Sequence, residues 1–309
     1  MPTWPPSWEV CFILCVRITI IILFVHRRNL CQPQFTNVPN LVCVWQWIRF
    51  FLWLAVYPKR NQTTKKKDFM GKTHAKTHAS QVSAERKEFL VQHYENREMR
   101  DIQLEFVFSK CYREATDEQR EGLQVTPEFL KEVELLKSQY DGKDTDSLVL
   151  THGDLHPGSV MVDPKGNTKV IDPEFTVYGP PGLDVGSLLS GYCLGAIHQA
   201  YSGNPEAVER IVDGASDIWK AYAKAMTEGG LGDKLKGIEI ETVGFTVSEV
   251  CRTALEFAGG RKWLQFEDAA TKAAAKKAAL QVVDKCMIAR HTGGIELLFK
   301  EMKAVAIKK

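Results

Sequence analysis

The sequence predicts an α+β fold that is predominantly helical and contains a short β-hairpin. Two patterns favour this fold. From Asp184 to the C-terminus, apolar residues recur in long helical stretches that end at glycine-rich turns, whereas residues 148–171 hold short β-type runs separated by turn residues. The chain has 309 residues and a hydrophobic content of 44%, which is enough to bury a core.

The N-terminal part differs in composition from the rest of the chain. Residues 1–58 hold five of the seven tryptophans, four of the eight cysteines and no glycine, and a lysine-rich linker follows them. We therefore predict an atypical hydrophobic segment over residues 1–68 and a separate domain over residues 69–309. Three interpretations of the segment stay open: a stretch foreign to the fold, such as an erroneous gene start; a membrane anchor; or packed protein.

The anchor interpretation depends on two apolar runs within residues 11–57. Arg17 interrupts the first run, and Gln46 and Arg49 interrupt the second. A spanning helix needs about 20 mostly apolar residues, and an arginine in the membrane interior is costly. Both runs are therefore short for a membrane span, and an anchored protein with its main domain in the cytosol stays the alternative to a cytoplasmic one.

Two patterns near the start of the main domain resemble binding motifs. Gly71-Lys72-Thr73 matches the end of a phosphate-binding loop, but Lys66 stands where the first glycine belongs. His74 and His78 lie four residues apart, a spacing that suits a metal on a helix, but no third ligand lies nearby in the sequence. We assign neither pattern a function.

The next elements have clear local signals. Phe129, Val133, Leu136 and Tyr140 share one helical face, and Thr126 before Pro127 predicts the N-cap of that helix. Short β-type runs at residues 148–150, 160–162 and 170–171 follow, and the last two flank a turn at residues 164–167. Two of these runs should pair as a hairpin. The later helices should break at residues 203–205, 229–230, 259–260 and 293–294.

Charge and cysteine usage limit the partners and the location. Lys and Arg total 40 and Asp and Glu total 38, so the net charge of +2 gives no field that would favour nucleic acid. The cysteines beyond residue 68 lack the paired spacing of a zinc site or a disulfide framework. We therefore predict no nucleic-acid partner and a reducing, cytoplasmic location.

Two acidic clusters flank the predicted hairpin. The stretch Thr151–Ser159 reads THGDLHPGS, and Ile171–Phe175 reads IDPEF. Asp154, on a loop after a strand, is placed to accept a hydrogen bond from a substrate hydroxyl. Asp172 and Glu174 alternate along what we expect to be an extended segment, so both carboxylates could hold Mg²⁺. This layout suits phosphoryl transfer. The alternative is that these are ordinary acidic turn residues.

The whole string resembles the catalytic loop of the aminoglycoside phosphotransferase and choline kinase superfamily, distant relatives of protein kinases. That superfamily usually has asparagine, a second metal ligand, at the position of Ser159, and IDW or IDF at the metal motif. At these departures the sequence is similar to methylthioribose kinases, which have HGDLHxGS, DPEF and then YGPxGxDxG, here residues 178–186. The resemblance covers roughly the final 220 residues.

The resemblance implies a protein-kinase-like C-terminal lobe with Mg²⁺ and ATP. It also implies phosphorylation of S-methyl-5-thioribose to its 1-phosphate in methionine salvage, and a homodimer. Asp154 would be catalytic and would contact the substrate, Asp172 and Glu174 would bind the metal, and Arg252 would bind the sugar, with Cys251 in place of a first arginine. The structural residues of the catalytic loop would be His152, Gly153, His156, Ser159 and Asp184. Without the resemblance, Arg252 would be an ordinary surface arginine.

The same resemblance implies an N-terminal lobe with a glycine-rich loop over the ATP phosphates. No glycine precedes Gly71, so the sequence predicts that this lobe is missing here. Besides a working methylthioribose kinase, we therefore retain a catalytically inactive sugar-binding or regulatory fragment, a membrane-tethered kinase, and a kinase for another small alcohol such as choline.

Overall fold

The computed structural model describes residues 69–142, 146–164, 166–258 and 263–306. In chain order the helices are α1 Phe69–Thr77, α2 Ala84–His93, α3 Arg97–Phe108, α4 Lys110–Glu114, α5 Pro127–Tyr140, α6 Gly182–Tyr201, α7 Glu206–Glu228, α8 Leu235–Ala254 and α9 Ala269–Ala304. The strands are β1 Val149–Leu150, β2 Val160–Val162, β3 Thr168–Val170 and β4 Tyr178–Gly179. Short 3₁₀ turns span Pro157–Ser159, Pro173–Phe175 and Gly232–Lys234. The described part is therefore mostly helical with small sheets, as predicted.

Helix α5 begins and packs as its sequence predicts. The Thr126 side chain accepts a hydrogen bond from the backbone N–H of Phe129 at 3.1 Å, and Pro127 occupies the first turn. The four apolar residues of its predicted face are all buried, at Phe129, Val133, Leu136 and Tyr140. The amphipathic pattern is confirmed.

The strands form two antiparallel pairs. Strand β2 pairs with β3 as a hairpin, with Val160 opposite Val170 and Val162 opposite Thr168, which confirms the predicted hairpin. Strand β1 pairs with β4, with Val149 opposite Gly179. Strand β1 precedes the first acidic cluster and β4 follows the second. Their antiparallel pairing therefore places both clusters at the same end of this two-stranded sheet.

The helical core is built around α6, which is buried along most of its length. It lies close to α8 at two glycines. A Cβ atom on Gly182 would lie 2.5 Å from the Cβ of Glu241, and one on Gly186 would lie 2.7 Å from the Cβ of Phe245. The absence of side chains at these two positions therefore lets the two helices pack closely.

The predicted helix breaks are confirmed where they are described. Helix α6 ends before Gly203 and α7 ends before Gly229. Within the range of α9, two helical stretches meet at a kink at Gly294, whose backbone is not helical, with φ +53° and ψ −151°. The Glu239 carboxylate accepts a hydrogen bond from the N–H of Ile295 at that kink, at 2.9 Å. The break predicted at residues 259–260 lies outside the described residues.

Within the described ranges, no helix combines the length and the apolar character needed to cross a membrane. The apolar runs in residues 11–57 lie outside those ranges. Their interpretation as an anchor and the division at residue 68 stay predictions.

Candidate active site

The loop that carries Asp154 turns sharply at Gly153. This residue has φ +88°, and a Cβ atom placed on it would lie 1.8 Å from the carbonyl oxygen of Phe175. Glycine is the residue that tolerates both the left-handed backbone and this approach. The loop that carries Asp154 and the segment that carries Asp172 and Glu174 therefore touch at this position.

The backbone of the loop is held by a buried carboxylate at the start of α6. Asp184, 2% exposed, accepts hydrogen bonds from the N–H groups of His152 at 2.8 Å and Gly153 at 2.9 Å. Burial alone would raise the pKa of Asp184, but its hydrogen bonds with His74 and with these two N–H groups lower the pKa below its ordinary value. The carboxylate is therefore ionised and fixes the loop.

His74 is a member of this arrangement that the sequence did not reveal. Its Nε2 lies 3.2 Å from Oδ2 of Asp184, and its Nδ1 lies 3.1 Å from the hydroxyl of Tyr222. His78 instead has Nδ1 2.9 Å from the Ser80 hydroxyl. The two histidines have different partners and do not form a shared metal site. Gly71–Thr73 lies inside helix α1 and forms no phosphate-binding loop.

Asp154 lies on the loop with 22% of its side chain exposed. Nε2 of His156 is 3.7 Å from its Oδ2, and Nδ1 of His156 accepts a hydrogen bond from the N–H of Gly158 at 2.9 Å. A neutral ring whose Nδ1 accepts carries its proton on Nε2, so that proton faces Asp154. The Ser159 hydroxyl donates to the carbonyl of Asp154 at 3.1 Å and is buried. Ser159 therefore supports the loop from within.

The second acidic segment is not extended, and the expected alternation of Asp172 and Glu174 along a strand is wrong. Asp172 has φ +62° and ψ +56°, and Pro173–Phe175 form a 3₁₀ turn closed by the N–H of Thr176 on the carbonyl of Pro173 at 3.1 Å. Proline fixes a φ that suits such a turn. Both carboxylates are exposed to solvent.

The donor chemistry of this segment fits Mg²⁺. Magnesium keeps several waters and is commonly bound by one or two carboxylates together with phosphate oxygens. Asp172 and Glu174 provide two exposed carboxylates. Among the described residues no group of three or more His, Cys, Asp or Glu side chains could form a closed cage for a metal. Two carboxylates are the protein ligands that such a hydrated ion uses beside phosphate oxygens.

Helix α3 and its N-cap residue contact both acidic segments through polar side chains that belong to no sequence motif. The Asn96 amide donates to the carbonyls of Glu174 at 2.8 Å and Thr176 at 3.1 Å. Gln103 donates to the carbonyl of Gly153 at 2.9 Å.

Arg252 lies in the last turn of α8 and is not an ordinary surface arginine. Its Nε and Nη2 lie 2.9 Å and 2.8 Å from the Glu249 carboxylate, and the two side chains are only 12% and 9% exposed. Cys251, its neighbour in the sequence, is fully buried. The structure places Arg252 in a partly buried ion pair within its own helix.

Comparison with known proteins places these residues in a family. A sequence model of the phosphotransferase enzyme family matches residues 68–223. This range includes His74, the catalytic loop, the Asp172–Glu174 segment and Asp184.

Curated relatives are methylthioribose kinases. That of Geobacillus sp. (strain WCH70) is 28% identical over 73% of this chain and 60% of the relative. That of Bacillus velezensis is 29% identical over 62% and 51%, and that of Geobacillus thermodenitrificans is 33% identical over 47% and 39%. The chain spans about half the length of the curated relatives it matches. The family match covers half of the chain and includes Asp154, Asp172, Glu174 and Asp184. The chain therefore belongs to the phosphotransferase enzyme family.

Proposed function

We propose that this protein is an ATP-dependent kinase that phosphorylates S-methyl-5-thioribose to its 1-phosphate. The observation that carries the proposal is the fixed position of Asp154 on a loop braced by Asp184, next to the exposed carboxylates of Asp172 and Glu174. The curated relatives, which are methylthioribose kinases, support the choice of sugar.

Asp154 is the catalytic residue of the proposal. Its carboxylate accepts a hydrogen bond from the acceptor hydroxyl, orients that oxygen toward the γ-phosphate, and takes up the proton as the new O–P bond forms and the bond to ADP breaks. The Nε2–H of His156 faces Oδ2 of Asp154 and limits its orientations. Such positioning is the main contribution a protein makes to phosphoryl transfer.

Asp172 and Glu174 are the residues that would hold Mg²⁺. When bound, this ion neutralises charge on the phosphate oxygens of ATP. The backbone on the N-terminal side of the two carboxylates is held by two hydrogen bonds. The N–H of Ile171 donates to the carbonyl of Ser159 at 3.0 Å, and Nε2 of His152 donates to the carbonyl of Ile171 at 2.8 Å.

Arg252 is our candidate for sugar binding, with its guanidinium held by Glu249. A cytoplasmic location, proposed from the cysteine pattern, agrees with the free and buried thiols of Cys111, Cys193, Cys251 and Cys286. The homodimer implied by the resemblance stays a prediction.

One observation keeps a second candidate function open. Cys251 replaces an arginine that the resembling kinases use for the sugar, and Arg252 already has a carboxylate partner in Glu249. A different small alcohol such as choline, or sugar binding without phosphotransfer, is therefore the alternative.

The test is a phosphorylation assay on the purified full chain with Mg²⁺, ATP and either methylthioribose or choline. We expect the sugar to be phosphorylated and Asp154→Asn to lower the rate by about a thousandfold, the usual contribution of such a base. The matched control is Asp146→Asn, which changes a carboxylate that is 88% exposed and paired with Lys87. Sugar binding by a folded chain without turnover would contradict the kinase proposal.

A further inference from the structure

The segment between Ile171 and Tyr178 has a conformation that its own residues do not secure. Asp172 is one of three non-glycine residues with positive φ among the described residues, the others being Asn96 and Glu256. A side chain in the left-handed region is disfavoured and persists where the surrounding structure fixes it. Something outside the segment must therefore hold it.

On its N-terminal side the segment is anchored to the catalytic loop. Ile171 is tied by its N–H to Ser159 and by its carbonyl to the ring of His152. On its C-terminal side the partners come from the chain around the start of α3. The N–H of Tyr178 donates to the carbonyl of Tyr94 at 2.8 Å, and the guanidinium of Arg100 donates to the carbonyl of Tyr178 at 3.1 Å.

Asn96 holds the middle of the segment. Its amide donates to two alternate carbonyls, Glu174 and Thr176, and Arg100 continues the series at Tyr178. These donors take the place of a neighbouring strand, which would satisfy alternate carbonyls in the same way. Asn96 itself has φ +42° and ψ +54°, a conformation that asparagine tolerates better than most residues.

We propose that Asn96 is a positioning residue that sets the geometry of the Asp172–Glu174 carboxylates, by holding the carbonyls of Glu174 and Thr176 and so keeping Asp172 left-handed. The inference rests on the proposed function, because it assigns Asn96 to the magnesium segment. In this role Asn96 acts through the backbone of residues 174–176.

The test uses Asn96→Gly, which keeps the left-handed backbone available and removes the amide. Asn96→Asp keeps the size of the side chain but replaces the donating amide with a carboxylate oxygen, which cannot donate to the two carbonyls. This second variant is used if Asn96→Gly does not fold. The matched control is Asn204→Ala, which removes a surface amide that donates to Gln199 at 3.0 Å, far along the chain from the site.

Two measurements decide the inference. Hydrogen exchange at the amides of Thr176 and Tyr178 reports how firmly the backbone of the segment is held. Mn²⁺ binding followed by electron paramagnetic resonance reports the metal affinity of the Asp172 and Glu174 carboxylates. We expect Asn96→Gly to speed exchange and weaken Mn²⁺ affinity by about tenfold each, the effect of losing two ordinary hydrogen bonds. Asn204→Ala should change neither.

Unchanged exchange at Thr176 and Tyr178, or unchanged Mn²⁺ affinity in Asn96→Gly, would overturn the inference while the unaltered chain still binds Mn²⁺. A failure of the unaltered chain to bind Mn²⁺ would instead count against the proposed function. If the unaltered chain itself gives no Mn²⁺ signal, the magnesium assignment of Asp172 and Glu174 fails, and the role of Asn96 in it fails too.

Discussion

The loop of residues 151–159 and the Asp172–Glu174 segment both carry carboxylates of the proposed active site, but they differ in what surrounds those carboxylates. The loop is backed by buried groups: Asp184 accepts from its N–H groups, Gln103 donates to Gly153, and Ser159 donates to Asp154. The other segment is held through the carbonyls of Glu174 and Thr176 by the half-buried amide of Asn96, and its two carboxylates are exposed to solvent.

This difference matches the two chemical tasks in the proposed function. A base that orients one hydroxyl must be fixed, because small displacements of a reacting group are costly in rate. Ligands of Mg²⁺ must stay hydrated, because the ion retains much of its water. The comparison therefore teaches that the two segments differ both in the burial of the residues that support them and in the burial of their carboxylates, since Asp154 is half-buried and Asp172 and Glu174 are exposed.

The largest effect should come from Gly153→Ala, since the added Cβ would lie 1.8 Å from the Phe175 carbonyl oxygen at φ +88°. We expect a loss of about 4 kcal/mol in the free energy of unfolding, measured by urea titration, from backbone strain and overpacking together. Gly203→Ala is the control, because Gly203 has φ +87° with no atom within 4 Å. That variant should lose about 1 kcal/mol. Equal losses would mean that the contact between the two segments is looser than described.

Asp184→Asn should lower the free energy of unfolding by about 3 kcal/mol near neutral pH, because it disrupts a buried, hydrogen-bonded carboxylate. The pKa of Asp184 is lowered in the folded state, so its stabilising effect is fully present above the ordinary value of 3.8. That effect is lost as the pH falls through the folded-state pKa.

The difference between Asp184→Asn and the unaltered chain should therefore narrow in urea titrations performed below pH 3.8. Asp213→Asn, at an exposed carboxylate 3.8 Å from Lys303, is the control and should change little at any pH. A difference that is independent of pH would show that Asp184 does not act as an ionised acceptor.

The smallest effect on stability should come from Glu174→Gln. Its side chain is exposed, so the free energy of unfolding should stay within about 0.5 kcal/mol of the unaltered chain. The Mg²⁺ concentration for half-maximal phosphorylation should nevertheless rise by about tenfold, from the loss of one anionic ligand. Glu228→Gln, at the exposed end of α7, should alter neither quantity. A large loss of stability in Glu174→Gln would mean that the Glu174 carboxylate supports the fold, and that the two segments do not differ in this respect.

Much of the fold was predictable because its signals are local. The cap at Thr126, the buried face of α5, the β2–β3 hairpin and the ends of α6 and α7 each depend on residues within a few positions of one another. The extended conformation expected for Asp172 and Glu174 failed because alternation was inferred across a proline, which favours a turn there.

The amino-acid pattern and its resemblance to known kinases predicted the reaction class, which agrees with the family match, and proposed the acidic residues, since the order HGDLH, a hairpin and DPE lies in one short stretch of chain. The partners that hold those residues became visible only in the folded chain. His74 lies 110 positions from Asp184, Asn96 lies 78 from Glu174 and Gln103 lies 50 from Gly153. A hydrogen bond from a side chain to a distant backbone group has no local signature, because it depends on how α1 and α3 pack and not on their own periodicity.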